Sequence, residues 1–296
     1  MAGRVVAIFG PTGVGKTAVA IALARLLREA GERPVAVSAD ALQVYRGLEI
    51  LTGVATPAER AELEHRLVSF VPVTDSFSAG RYAPLAHAEI DRLLAEGSVP
   101  IVIGGTGLYL RAALTTLSLR PPPPPELRAR WSAELERLGP EALHARLAVR
   151  APDVAERIDP ADRHRIVRAM ELQEMNDPGP PDRPSELWTG EVRHPTRLIG
   201  LVMDRPALYR RIDARVEAMV AAGAAREVAA ADAAGASPTA RQALGFSALL
   251  AGDVPAMKLQ SRRYARRQLT WMRKLAGVEV VDVTGRAPDE VAAALR

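Results

Sequence analysis

Residues 10–17, Gly-Pro-Thr-Gly-Val-Gly-Lys-Thr, carry the clearest chemical signal in this sequence. They fit the pattern G-x-x-x-x-G-K-[ST], in which backbone N–H groups curl around a phosphate and the lysine reaches its outer oxygens. We expect the Thr17 hydroxyl to face Mg²⁺. The loop predicts a di- or triphosphate ligand, held by Gly10, Pro11, Thr12, Gly13, Val14, Gly15, Lys16 and Thr17.

Asp40 is the second candidate for chemistry. It follows the apolar segment 34–39, whereas the apolar segment 99–103 ends in glycines without a carboxylate. Carboxylates at the ends of parallel strands face the ligand crevice, so Asp40 is predicted to act either as a Mg²⁺ ligand or as a general base. A helix cap is the structural alternative, and position alone does not decide between base and metal ligand.

The elements that position these residues follow from hydrophobic patterns. Short apolar runs predict strands at 4–9, 34–39, 99–103, 197–203 and 278–283. Helical periodicity predicts helices at 16–30, 80–96, 206–222 and 224–234. Strands that alternate with helices favour an α/β fold, here a P-loop core whose parallel sheet carries helices on both faces.

A helical insertion is predicted to interrupt this core. Five consecutive prolines at 121–125 indicate a stiff polyproline II spacer. Charged helical segments follow at 126–139, 140–150 and 160–175, and then a loop rich in Pro and Gly at 177–184. The predicted division is a first core part, 1–120, a helical insertion, 121–190, and a completion of the core, 191–296.

Composition narrows the function classes. The 296 residues include 39 Lys+Arg, 35 Asp+Glu and no cysteine, which excludes disulfides, cysteine-ligated zinc and thiol catalysis. The five histidines are too scattered to suggest a His-based metal site. No apolar run approaches a membrane span, and the N-terminus lacks the apolar core of a signal peptide. We therefore expect a cytoplasmic protein with no membrane partner.

The segment 261–275 is predicted to be a basic helix. It has no acidic residue, and its cations are Arg262, Arg263, Arg266, Arg267, Arg273 and Lys274. Such a face is unfavourable unless a phosphate backbone or an acidic partner neutralises it, which favours RNA binding. A merely solvated basic face is the alternative.

Three motifs in order resemble one family. The phosphate loop is followed by Ser-Ala-Asp-Ala-Leu-Gln-Val-Tyr at 38–45 and by Gly-Gly-Thr-Gly-Leu-Tyr at 104–109. Together with Arg-Arg-Tyr-Ala-Arg-Arg-Gln-Leu-Thr-Trp at 262–271, they resemble the tRNA dimethylallyltransferase (tRNA isopentenylpyrophosphate transferase) family over nearly the whole chain. The resemblance implies that the phosphate loop holds dimethylallyl diphosphate. With Mg²⁺, its dimethylallyl group would pass to the exocyclic N6 amine of the adenosine 3′-adjacent to the anticodon, releasing diphosphate.

The resemblance also implies roles for individual residues. Asp40 would be the catalytic base, Thr106 would contact the target nucleoside and Arg215 would reach the diphosphate. The residues implied to contact the tRNA anticodon stem-loop are Asp40, Ala41, Leu42, Gln43, Thr106, Arg128, His164, Arg165, Ile166, Val167, Arg168, Gln242, Gly245, Arg262 and Arg266. Arg128 and Arg165 could instead be solvated helix charges, and 243–246 could be core.

Other functions remain open at this point. A P-loop small-molecule or nucleotide kinase, with Asp40 on the metal, is the first alternative. A free-nucleotide prenyltransferase and a non-catalytic RNA-binding protein are further ones. The chain also departs from the family pattern, because it lacks the lysine usual after Ile50. A monomer is expected.

Overall fold

The computed structural model describes residues 3–120, 122–177 and 186–295. The chain forms two compact units. The larger one runs up to Leu119 and resumes at Leu187, and the smaller one is Arg120–Glu186. From the sequence we expected an insertion at 121–190. Most of the predicted loop at 177–184 lies outside the described residues.

The larger unit alternates strands and helices. Its strands are β1 (Val5–Phe9), β2 (Arg33–Ser38), β3 (Tyr45–Arg46), β4 (His65–Arg66), β5 (Val71–Pro72), β6 (Ser98–Gly104), β7 (Thr196–Val202) and β8 (Val278–Asp282). Its helices before the smaller unit are α1 (Lys16–Glu29), α2 (Glu49–Thr52), α3 (Pro57–Glu62), α4 (Ala79–Ala95) and α5 (Gly107–Leu114). Its helices after the smaller unit are α10 (Arg205–Ala221), α11 (Ala224–Ala233), α12 (Phe246–Leu250), α13 (Val254–Met272) and α14 (Pro288–Ala294).

A parallel sheet of the order β4-β2-β6-β1-β7-β8 organises the larger unit. In register, Ile8 of β1 pairs with Ile103 on one side and Ile199 on the other. The chain leaves β1 for β2 and β6 on one side of the sheet and returns to β7 and β8 on the other. The carboxyl end of β1 is therefore the point where the strand order reverses, which is where open α/β sheets bind ligands.

Both faces of the sheet are covered by helices. Successive side chains of β1 point to opposite faces, and all of them are apolar, so both faces must be buried. Val5, Ala7 and Phe9 pack into one core with α4 and α5. Val6 and Ile8 pack into a second core with α1 and α14. The predicted α/β fold with helices on both faces of a parallel sheet is confirmed.

The basic helix begins earlier than the sequence suggested. α13 starts at Val254, because the Asp253 carboxylate accepts a hydrogen bond from the Ala256 N–H (2.9 Å) and caps it. It ends at Met272, so Arg273 and Lys274 lie beyond its last residue.

The smaller unit is helical. Its helices are α6 (Pro125–Leu138), α7 (Pro140–Arg150), α8 (Pro152–Ala155) and α9 (Arg163–Glu174). They enclose a core of their own around Trp131, Leu143 and Ile166. The predicted polyproline spacer is wrong at Pro125, which begins α6, because the first helical position favours proline.

Candidate active site

The phosphate loop connects β1 to α1 at the carboxyl edge of the sheet. Gly13 and Gly15 have φ of 81° and 102°, a left-handed backbone that glycine adopts without strain. The Lys16 ammonium donates hydrogen bonds to the carbonyls of Gly10 (2.9 Å) and Pro11 (3.1 Å), so it lies over the loop. The predicted loop geometry is therefore present, with a cation at its centre.

The charges around Lys16 define the site's electrostatics. Burial of the ammonium and, to a smaller extent, the nearby Arg215 charge lower its pKa to about 8, and the Asp40 carboxylate opposes this shift. Crowding also lowers the pKa of Arg215, again opposed by Asp40. The Arg215 residue is nevertheless exposed to solvent. These three predicted residues therefore act on one another electrostatically.

Asp40 lies just beyond the end of β2, where the prediction placed it. Its Oδ1 accepts hydrogen bonds from the backbone N–H groups of Leu42 (2.9 Å) and Gln43 (3.4 Å). This oxygen caps a turn and not a helix, so the helix-cap alternative is wrong, although one oxygen of the carboxylate does have a structural role. The Gln43 amide in turn donates to the Gly53 carbonyl (3.1 Å) and accepts from the Ser38 hydroxyl (3.0 Å), so its ends join two segments of the larger unit.

Helix α10 packs directly on the phosphate loop. The Arg211 Nε donates to the Gly13 carbonyl (3.0 Å), and a Cβ on Gly13 would lie 2.9 Å from Ile212. One turn further along, Arg215 lies against Gly53, where a Cβ would be 1.8 Å from its Nη2. This glycine stands in the segment that lacks the family's usual lysine, and it makes room for a guanidinium.

Thr106 precedes α5 at the end of β6. Its hydroxyl is 3.2 Å from the Tyr264 hydroxyl of α13. Burial and the Asp40 charge raise the pKa of Tyr264 to about 12, so its hydroxyl stays protonated. Thr106 therefore contacts the Tyr264 hydroxyl directly, and Asp40 acts on it through its charge.

Sequence reasoning missed three residues of this site. Arg211, Tyr264 and Gln268 received no role, although each contacts the phosphate loop or the loop at Thr106. A signal was available in the spacing, because residues four apart share a helix face. Arg211 lies four before Arg215, and Gln268 lies four after Tyr264.

Thr17 and Asp40 are the oxygen donors that the site offers to a cation. A hydroxyl and a carboxylate are hard ligands that suit Mg²⁺, which takes its remaining ligands from substrate phosphates and water. Among the residues that the structure describes, no group of three His, Asp or Glu side chains could hold a metal. The donor set thus fits a cation held mainly by a phosphorylated substrate.

The expectation of an unneutralised basic face is wrong for Arg262. Its guanidinium forms a two-point ion pair with Asp213 of α10, partners that lie far apart in sequence. Lys258, in the part of α13 that was not predicted, pairs with Glu217 of α10. Arg263, Arg266 and Arg267 are exposed. Arg266 is therefore accessible to a phosphate group from solvent, whereas the charge of Arg262 is already paired with Asp213.

In the smaller unit, the predicted tRNA contacts divide into two groups. The side chains of Ile166 and Val167 are buried in its core and are excluded as direct side-chain contacts, because the apolar face of α9 points inward. His164 and Arg165 are exposed. Arg168 lies near a small cavity of about 200 Å³ that Arg165 also lines.

Arg128 makes a specific contact instead of being a merely solvated charge. It forms a two-point ion pair with Glu171, whose side chain is fully buried, and Arg168 donates to the same carboxylate (3.3 Å). A buried carboxylate needs such partners, since leaving it unpaired is costly.

The last segment implied to contact tRNA, 242–247, also divides. Gln242 is exposed, whereas Ala243 and Phe246 belong to the core, as the alternative held. Gly245 is buried with φ of 92°, and a Cβ there would lie 2.7 Å from Met257. Ala41 and Leu42 are partly buried against the core.

Within the described residues, no helix is long and apolar enough to cross a membrane. The fold and the site define a P-loop protein in which a carboxylate, Asp40, acts electrostatically on the lysine of the phosphate loop.

Comparison with known proteins identifies the family. A family model described as IPP transferase matches residues 43–275. A tRNA dimethylallyltransferase from Kineococcus radiotolerans is 42% identical over 282 residues, which cover 91% of this chain and 87% of the relative. One from Anaeromyxobacter sp. strain Fw109-5 is 43% identical over 290 residues and 93% of each chain. The chain therefore belongs to the IPP transferase family, and the predicted resemblance is confirmed.

Solved structures agree with this assignment. The full-length tRNA isopentenylpyrophosphate transferase from Bacillus halodurans superimposes with a TM-score of 0.70 at 31% identity, over 99% of this chain and 94% of the other. A eukaryotic dimethylallyltransferase acting on tRNA superimposes with a TM-score of 0.75 over 96% of this chain and 74% of its own, at 23% identity, and shows the shared fold. These relatives do not favour the kinase alternative.

Proposed function

We propose that the protein transfers the dimethylallyl group of dimethylallyl diphosphate to the N6 amine of the adenosine 3′-adjacent to the anticodon of tRNA. The observation that carries the proposal is the set of groups around Lys16. A carboxylate, Asp40, and a guanidinium, Arg215, both act on its ammonium. The arrangement pairs an anion-binding loop with a proton acceptor, as prenyl transfer to an amine requires.

The chemistry divides between these groups. The N6 nitrogen attacks C1 of the dimethylallyl group, a C–N bond forms and the C–O bond to diphosphate breaks. Asp40 accepts the proton that the amine loses, because an aromatic amine is a poor nucleophile until that proton leaves. Lys16, Arg215 and the loop N–H groups stabilise the negative charge that develops on the departing diphosphate.

Mg²⁺ would add to this charge stabilisation, and Thr17 is the residue that would hold it. On the acceptor side, Thr106 is proposed to contact the target nucleoside, which must leave its stack to reach the site. The exposed side chains of Arg165, Gln242 and Arg266 are proposed to contact the anticodon stem-loop. Since tRNA is the acceptor, we propose that the protein acts in the cytoplasm. A monomer remains a prediction.

Mass analysis of tRNA tests the proposal directly. The protein is incubated with Mg²⁺, dimethylallyl diphosphate and unmodified tRNA. The tRNA is then digested, and the masses of its nucleosides are measured by mass spectrometry. A prenyl increment on adenosine is expected. ATP turnover or phosphoryl transfer without that increment would instead restore the kinase alternative.

A further test addresses Asp40. Asp40→Asn should abolish transfer and leave the affinity for tRNA within about tenfold, because the base acts in the transition state and tRNA binding is spread over many contacts. Asp289→Asn, at an exposed aspartate of α14, is the matched control. Unchanged turnover in Asp40→Asn would show that Asp40 is not the catalytic base.

A further inference from the structure

Gln268 of α13 joins the phosphate loop to the loop that carries Thr106. The side chain is buried, with 4% of its surface exposed. Its Oε1 accepts a hydrogen bond from the Thr12 N–H (2.8 Å), and its Nε2 donates to the Gly105 carbonyl (2.8 Å). One amide therefore spans the ends of β1 and β6.

Gly105 is matched to this amide. A Cβ at this position would lie 2.3 Å from the Gln268 Nε2, a distance that no real contact tolerates. It would also lie 3.2 Å from the Gly10 carbonyl and 3.4 Å from the Lys16 ammonium. The two loops therefore approach each other closely at this point, and the Gln268 amide occupies the space that a side chain at 105 would need.

The neighbours of Gln268 on the same helix face serve the same loop. Tyr264, four residues earlier, reaches the Thr106 hydroxyl, and Trp271, three residues later, fills the space beside Gly107. Gln268 is the member of this face that also bonds to the phosphate loop.

We propose that Gln268 is a positioning residue that fixes the separation between the phosphate loop and the Thr106 loop. The inference rests on the proposed function, in which one loop holds the diphosphate of the donor and the other contacts the nucleoside acceptor. The Gln268 amide then sets the distance between the carbon and the nitrogen that react. It touches neither substrate itself.

The expected effect follows from this geometry. Reacting atoms must approach to about 3–3.5 Å, and a misplacement of about 1 Å can cost about 100-fold in rate. Loss of the amide should therefore lower kcat and leave KM nearly unchanged for both substrates. A residue with a merely structural role would instead lower activity only in proportion to the folded fraction.

Two matched variants test the proposal. Gln268→Met keeps most of the side-chain volume and removes both hydrogen bonds, whereas Gln260→Met makes the same change at an exposed position of α13. We expect Gln268→Met to lose about 10- to 100-fold in kcat with both KM values within about threefold. Gln260→Met should behave as the wild type. A wild-type kcat in folded Gln268→Met, or a loss that equals its unfolded fraction, would overturn the proposal.

A second-site variant tests the contact itself. Gly105→Ala should displace the amide and lower kcat, but its further effect in Gln268→Ala should be several-fold smaller, because the clashing group is gone. Additive losses would contradict a shared role.

Amide hydrogen exchange provides a readout without substrates. Peptides that contain Thr12 should exchange faster in Gln268→Met than in the wild type or Gln260→Met. Unchanged exchange would overturn the inference. If the wild type transfers no prenyl group, the proposed function fails and with it the catalytic consequence, whereas faster exchange would still establish the contact between the loops.

Discussion

The pKa of Lys16 makes binding of the diphosphate pH-dependent in a defined direction. A diphosphate binds the charged form of the Lys16 ammonium. At a pH where Lys16 of the free protein is neutral, binding must therefore be accompanied by the uptake of a proton by Lys16. With a pKa of about 8, the charged fraction of Lys16 is about 0.9 at pH 7, about 0.5 at pH 8 and about 0.1 at pH 9. Affinity is therefore nearly full at pH 7 and falls as the pH rises through 8.

The magnitude follows from those fractions. Affinity should fall about tenfold between pH 7 and pH 9, equal to about 1.4 kcal/mol. Binding at pH 8 should take up about 0.5 proton per ligand. The terminal phosphate of the ligand has a pKa of about 6, so its own ionisation contributes little to the change in affinity between pH 7 and pH 9.

Calorimetry with the unreactive thio analogue of dimethylallyl diphosphate measures both quantities, with proton uptake obtained from buffers of different ionisation enthalpy. Lys16→Met should bind about 10- to 100-fold more weakly at pH 7, through loss of a charged hydrogen bond, and its affinity should not depend on pH. Lys258→Met, at a lysine paired with Glu217, should keep the wild-type profile. A flat wild-type profile, or a slope that persists in Lys16→Met, would refute the reasoning.

Three further predictions concern Gly53, Arg266 and Glu171. Gly53→Ala should displace the Arg215 guanidinium and raise KM for the diphosphate at least about tenfold, whereas Gly47→Ala, a glycine of positive φ with open space around it, should not; equal KM values would contradict this. Arg266→Ala should reduce the salt slope of tRNA binding by about one, whereas Arg262→Ala should change it less because Asp213 already neutralises that charge; equal slopes in salt titrations would remove the distinction. Glu171→Gln should lower the free energy of unfolding by about 1–3 kcal/mol in urea, since two arginines bond its buried carboxylate; an unchanged midpoint would show that this pairing adds no stability.

Local signals carried most of what the sequence could predict. A short apolar run predicts a buried strand, and Gly13 and Gly15 of the phosphate loop stand where the backbone has positive φ. Both features were found without knowledge of the rest of the chain. The same reasoning placed Asp40 at the end of β2. These features depend on neighbours in sequence, which a pattern records.

Contacts between distant segments were beyond that reasoning. The pairing of Arg262 with Asp213 joins α13 to α10, and the contact of Gln268 with Thr12 joins α13 to the phosphate loop. The partners of each pair lie on different segments and far apart in sequence, so no helical or strand periodicity connects them. The burial of Ile166 was missed for a different reason, because the resemblance marks a segment and cannot say which of its side chains point inward.

The end of β6 shows why this P-loop site departs from a kinase. A nucleotide kinase is expected to place a metal-binding carboxylate there, and this chain has Gly104 and Gly105. A Cβ on Gly104 would lie 2.4 Å from the Ala39 carbonyl, and one on Gly105 would meet the Gln268 amide. Neither position can therefore accept an aspartate without rebuilding the site. The phosphate loop alone leaves the reaction open, and the packing of Ala39 and α13 around these two glycines selects against the kinase arrangement.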